Sequence, residues 1–235
     1  MKTDNFQMAS DINDIRAILI ESADSGYRDF SSALIPGETK ILGVRIPVMR
    51  KIAKGIVKGD WKKFLASNKL FYFEERMLQG FVIGYAPCDI DEKLNYTREF
   101  IPLITNWSLC DFFFWKLKSS EKETVWNFIQ PYFHSDKEFE VRFAAVAGLE
   151  SFIDNEHIDL LLENLCNTSQ NDYYAKMGVA WALAECYIAF PEKTLLCLKN
   201  SSLNPEIRKM ALRKINESFR VKSGDKIRLK EFFSN

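Results

Sequence analysis

The chain is short of the residues that build turns. Of its 235 residues only 10 are glycine and 7 are proline. A sandwich of short strands needs such residues at every reversal, so that architecture is disfavoured. Histidine is scarcer still, with His134 and His157 too few and too far apart in sequence to make a metal site. The five cysteines, Cys88, Cys110, Cys166, Cys186 and Cys197, contain no C-x-x-C pair. Their odd number and apolar settings predict reduced thiols and a cytoplasmic protein. No apolar run approaches the length of a membrane span. The first residues, MKTDNFQMASDINDIR, carry acids and no apolar core, which argues against a secretion signal. The formal net charge is zero, so the chain is not a uniformly basic nucleic-acid binder.

Hydrophobic residues are plentiful, at 47%, enough for a sizeable core. The charge is unevenly spread. Residues 40–63 hold eight Lys/Arg and one acid, and residues 205–235 hold nine Lys/Arg and four acids. Either these are two ordinary solvated faces, or the fold joins them into one basic surface.

The second half repeats itself. EVRFAAVAGL (140–149), YAKMGVAWAL (174–183) and EIRKMALRKI (206–215) align without gaps, which places Arg142, Lys176 and Arg208 in register, 34 and 32 residues apart. Arg76, in EERMLQGFVIGY, lies two such periods before Arg142. A period in the low thirties predicts helix pairs stacked as an α-solenoid. HIDLLLENLC (157–166) and EKTLLCLKN (192–200) supply the other helices, with helical apolar spacing after short polar breaks. Ala144, Ala145, Ala147 and Gly148 let neighbouring helices approach closely, and Pro205 suits a first helical turn. The expected architecture is all-α and a single domain over 1–235, irregular and helical to about residue 69, with clearer repeats over about 70–220. A solenoid by itself suggests a scaffold that presents a surface to a protein partner.

Six segments narrow that reading: LGVRIPVMRKIAK (42–54), FEERMLQGFVIGY (73–85), ITNWSLCDFFFWKLK (104–118), EVRFAAVAGL, GVAWALAECY (178–187) and NPEIRKMALRKI (204–215). In type and order they resemble the DNA alkylation repair family of AlkD-like, HEAT-repeat DNA glycosylases. The resemblance implies an α-α superhelix of HEAT-like antiparallel helix pairs with a concave basic groove. It also implies double-stranded DNA, alkylated or distorted, as the partner and no metal or organic cofactor; the sequence leaves the oligomeric state open, with a monomer favoured. The implied reaction is hydrolysis of the N-glycosidic bond of cationic alkylated purines. Such a base is already a good leaving group, and a carboxylate can stabilise the oxocarbenium-like sugar that it leaves behind.

The family's active pattern is close to S-W-W-D-x-x-D, with the second Asp catalytic. Matched without gaps, Asp111 falls on the first Asp, Cys110 on the partner Trp, and Phe114 on the catalytic place. A register shift instead pairs Trp107 with Asp111 at the four-residue spacing of one helix face. In the first alignment Asp111 is structural, a carboxylate early in a helix accepting free N–H groups, and excision is weak or absent. In the second it is the catalytic acid. The resemblance further makes Arg142 the active-site Arg and Trp181 the second Trp, while Ala184 replaces a basic residue. Arg142 also has a structural reading, as the repeat Arg in register with Lys176 and Arg208. Arg45, Arg50, Lys51, Lys54, Arg142, Lys176, Arg208 and Lys209 are candidate phosphate contacts. Three functions therefore stand side by side: a glycosylase, a family member that binds damaged or branched DNA without excising, and a protein-interaction scaffold.

Overall fold

The computed structural model describes residues 11–234 apart from Pro36, Asn68 and Phe114. Among these residues every regular element is a helix, as the repeat pattern predicts. They form two compact units, divided in sequence between Trp115 and Lys116.

The first unit contains α1 (Ile12–Glu21), α2 (Ser25–Leu34), α3 (Ile46–Ile56), α4 (Trp61–Leu65), α5 (Phe73–Tyr85), α6 (Ile90–Phe100) and α7 (Trp107–Asp111). Local chemistry starts most of them. Asp11, Asp24, Asp60, Asp89 and Asn106 each accept a first-turn N–H through the side chain. Each such cap contributes about 1 kcal/mol. The core gathers around α5, which packs on α3, α4, α6 and α7. A helix with neighbours on several sides must bury nearly all of its faces. Helix α5 buries Phe73, Glu74 and Glu75 and then Met77 through Ile83, with Arg76 half-buried between them. Helix α2 is the opposite case, burying only Ser31.

The second unit contains α8 (Lys122–Ile129), α9 (Glu138–Ser151), α10 (Ile158–Cys166), α11 (Tyr173–Ala189), α12 (Pro191–Lys199), α13 (Pro205–Glu217) and α14 (Ser223–Ser234). The three repeat segments of the sequence lie on α9, α11 and α13, and α11 packs against both of the others. Small residues make this possible: α9 is buried continuously from Val141 to Gly148. A Cβ on Gly148 would lie 2.6 Å from Leu161 Cδ1 of α10, so any larger residue would force that side chain to move. Helices α10 and α12 pack on each other and on α11. Neighbouring helices packed in sequence order are the arrangement of an α-solenoid.

The expectation of five reduced thiols needs correction. Cys166 and Cys197 are joined by a disulfide, with their Cα atoms 6.2 Å apart, while Cys88, Cys110 and Cys186 are free. The two are 31 residues apart, about one repeat, so stacking brings corresponding parts of α10 and α12 together. Burial pushes the Cys186 thiol up to about 12. Among the described residues no helix is long and apolar enough to cross a membrane.

Candidate nucleic-acid interface

The segment LGVRIPVMRKIAK is built around a buried carboxylate. Glu74, 2% exposed, accepts the backbone N–H groups of Gly43 at 2.7 Å, Leu42 at 3.0 Å and Val44 at 3.3 Å. This pins the loop that enters α3. Gly43 adopts φ +83°, and a Cβ there would lie 2.5 Å from Arg28 N and closer still to Asp24 O. Asp24 caps α2 through Tyr27 N and also takes Arg45, whose Nη2 is 2.8 Å from Oδ2. Gly43 and Arg45 therefore seat the loop on the first turn of α2.

Helix α3 contains no acid between Ile46 and Ile56 and buries Met49, Ile52, Ala53 and Ile56. Its cations lie off that face. Arg50 Nη1 donates to the Tyr85 hydroxyl at 3.0 Å, and its guanidinium stands 4.8 Å from the Phe81 ring centre. Lys54 Nζ is 5.4 Å from the Tyr85 ring centre, and Arg45 is 5.0 Å from that of Tyr27. Lys51 and Lys54 are exposed. Aromatic faces hold such cations in place without cancelling their charge.

Helix α7 carries N-W-S-L-C-D. Asn106 starts it by accepting Leu109 N at 3.1 Å, and Trp107 Nε1 donates to Leu34 O at 3.0 Å. Asp111 is the last residue of this five-residue helix and is half-buried. The expectation of a carboxylate early in a helix is thus corrected. Asn106 holds that place, and Asp111 lies at the end where carbonyls carry partial negative charge. Of the phenylalanine run, Phe113 is core, 2% exposed and stacked on Phe100 at 5.0 Å. Phe112 lines a cavity described below, and Phe114 lies outside the described residues.

In the second unit the repeat cations are engaged within the stack. Arg142 is 6% exposed and donates from Nη1 to Tyr174 O at 3.0 Å. Its side chain packs under Gly178, where a Cβ would lie 3.0 Å from Arg142 Cγ. Lys176 pairs with Glu206 of α13, and Arg208 Nη2 donates to Asn200 O at 2.8 Å. Lys209 is exposed. Trp181 is half-buried, with Nε1 3.3 Å from Glu185 Oε1. In the first unit, Arg76 likewise pairs with Glu38 and donates to Thr105 Oγ1 at 2.9 Å.

A cavity of about 200 Å³ lies in the first unit, walled by α2, the start of α3, α5 and α7. Sequence reasoning missed it, together with Glu74 and the rings behind the α3 cations. The one local signal was the adjacent acid pair Glu74-Glu75 at the start of a largely apolar helix.

Neighbouring helices packed as in an α-solenoid make this an all-α protein, and its helix α3 carries cations backed by aromatic rings. The chain matches the family of DNA alkylation repair enzymes over residues 15–215 and belongs to that family. No curated protein matches it.

Proposed function

We propose that the protein binds double-stranded DNA, alkylated or distorted, with the cations of α3 on the phosphate backbone. The observation that carries this reading is the acid-free helix on which Arg50 and Lys54 rest against Phe81 and Tyr85 beside the exposed Lys51. Positioned cations replace the counterions condensed on DNA, so binding falls steeply with salt and shows little sequence preference. Family membership supports DNA as the partner. The test is a titration of duplex DNA at two salt concentrations with wild type and the triple variant Arg50→Gln, Lys51→Ala, Lys54→Ala. The slope of log affinity against log salt should flatten by about 0.9 per lost contact. Unchanged affinity and slope would remove α3 from the interface.

Excision of cationic alkylated purines is the second reading. It is favoured by the placement of Trp107 and Asp111 four residues apart on α7, both partly exposed. Asp111 would stabilise the developing oxocarbenium, with the Trp107 face beside it. Wild type would then release methylpurines from alkylated DNA, and Asp111→Asn would abolish release with affinity nearly intact. Absence of release by the folded wild type leaves a DNA-binding protein without excision. Release that persists in Asp111→Asn removes Asp111 from the chemistry.

A further inference from the structure

Helix α11 opens to solvent at few places. It packs on α9, α10, α12 and α13, and from Gly178 to Tyr187 every residue is buried except Trp181 and Glu185. These two are four residues apart, so they share one face of the helix. Trp181 Nε1 donates to Glu185 Oε1 at 3.3 Å, and Arg220 Nη2 donates to the same oxygen at 2.5 Å. The Glu185 side chain is 21% exposed and that of Arg220 is 61% exposed.

Arg220 comes from the loop between α13 and α14. That loop is tied on both sides of it: Arg220 N donates to Ser218 Oγ at 3.2 Å, and Val221 is buried. Arg220 thus holds the carboxylate, and the carboxylate holds the indole by its N–H edge. An indole has one donor and no acceptor, so one well-placed carboxylate fixes how the ring is turned. Among the described residues no other ring and no cation stands over the Trp181 face. A large aromatic held at its edge, where a buried helix opens to solvent, is placed for a ligand. The ring quadrupole makes a positive charge the fitting one.

We propose that Glu185 is a positioning residue for DNA recognition: held by Arg220, it fixes Trp181 so that the ring face meets the positive charge of an alkylated purine nucleotide. The inference rests on the reading of alkylated duplex DNA as the partner. The experiment measures binding to a duplex carrying one cationic methylguanine on a fluorinated sugar, whose fluorine disfavours the oxocarbenium and keeps the base attached. The variants are Trp181→Ala, Glu185→Ala, Glu185→Gln and the double alanine variant. Both positions reach solvent and alanine favours helix, so the fold should be kept, and thermal melts check it. Trp181→Ala should weaken binding about fivefold, the scale of one exposed cation–π contact. Glu185→Ala should weaken it similarly, and the double variant no further, because the two act as one unit. Glu185→Gln should bind as wild type does, since its amide oxygen accepts both bonds. Charge alone predicts the reverse, because losing an acid beside DNA strengthens contact with the phosphates. Unchanged or tighter binding by Glu185→Ala overturns the inference, while the reading of α3 stands on its own salt slope. Losses that add in the double variant overturn it as well, as does a Glu185→Gln no better than Glu185→Ala. Failure of wild type to bind the duplex overturns the DNA reading and the inference together.

Discussion

Replacing Gly43 by alanine tests whether the G-V-R segment is a structural joint. At φ +83° an alanine enters the left-handed region, which costs about 1–2 kcal/mol for a residue with a Cβ. The new methyl group would also meet backbone: Arg28 N at 2.5 Å and Arg28 Cα at 2.7 Å. These atoms belong to the first turn of α2, held by the Asp24 cap and by the bond from Asp24 N to Gly43 O at 3.2 Å. They cannot swing aside as a side-chain end could, and such overpacking adds roughly 1–3 kcal/mol. Gly43→Ala should therefore lose about 2–5 kcal/mol in a urea titration followed by circular dichroism. At about 2–4 °C per kcal/mol for a chain of this size, the melting temperature should fall by about 10 °C. Because the loop seats Arg45 and the entry to α3, DNA affinity should fall with it. A loss below about 0.5 kcal/mol, the scale of an ordinary surface substitution, would refute the joint.

Glu74→Gln keeps the shape but turns one acceptor into a donor facing Leu42 N, and should cost about 1–3 kcal/mol by the same titration. Asp154 is partly buried, which raises its pKa, but bonds from Lys122 at 2.5 Å and His157 at 2.9 Å outweigh this and hold it well below the ordinary carboxylate range. A depressed folded pKa contributes stability above the unfolded value near 3.8 that is lost as pH falls through the folded one. Asp154→Asn should thus destabilise the protein at pH 6 and flatten the fall in melting temperature below about pH 4; an unchanged acid limb would reject the role. Reducing the Cys166–Cys197 bond opens a loop spanning 31 residues and should cost about 3–4 kcal/mol. A count of five titratable thiols in the unreduced, denatured protein would contradict the bond.

Local chemistry wrote much of this protein into its sequence. The small residues of 140–149, 174–183 and 206–215 foretold that α9, α11 and α13 would pack side by side, because close helix approach requires them at fixed spacing. The start of α7 was not read from the sequence: Asn106 caps it, which puts Asp111 at the end of that helix and not early in it. Tertiary structure decided the rest. Glu74 meets its loop across about thirty residues, Asp24 meets Arg45 across 21, and the cavity draws on four helices. None of these pairings has a sequence period, since each arises only when separate elements pack. The same packing turned Arg142 inward to Tyr174 and left the α3 cations against aromatic rings. Sequence supplied both sets of charges, and burial decided which of them solvent can reach.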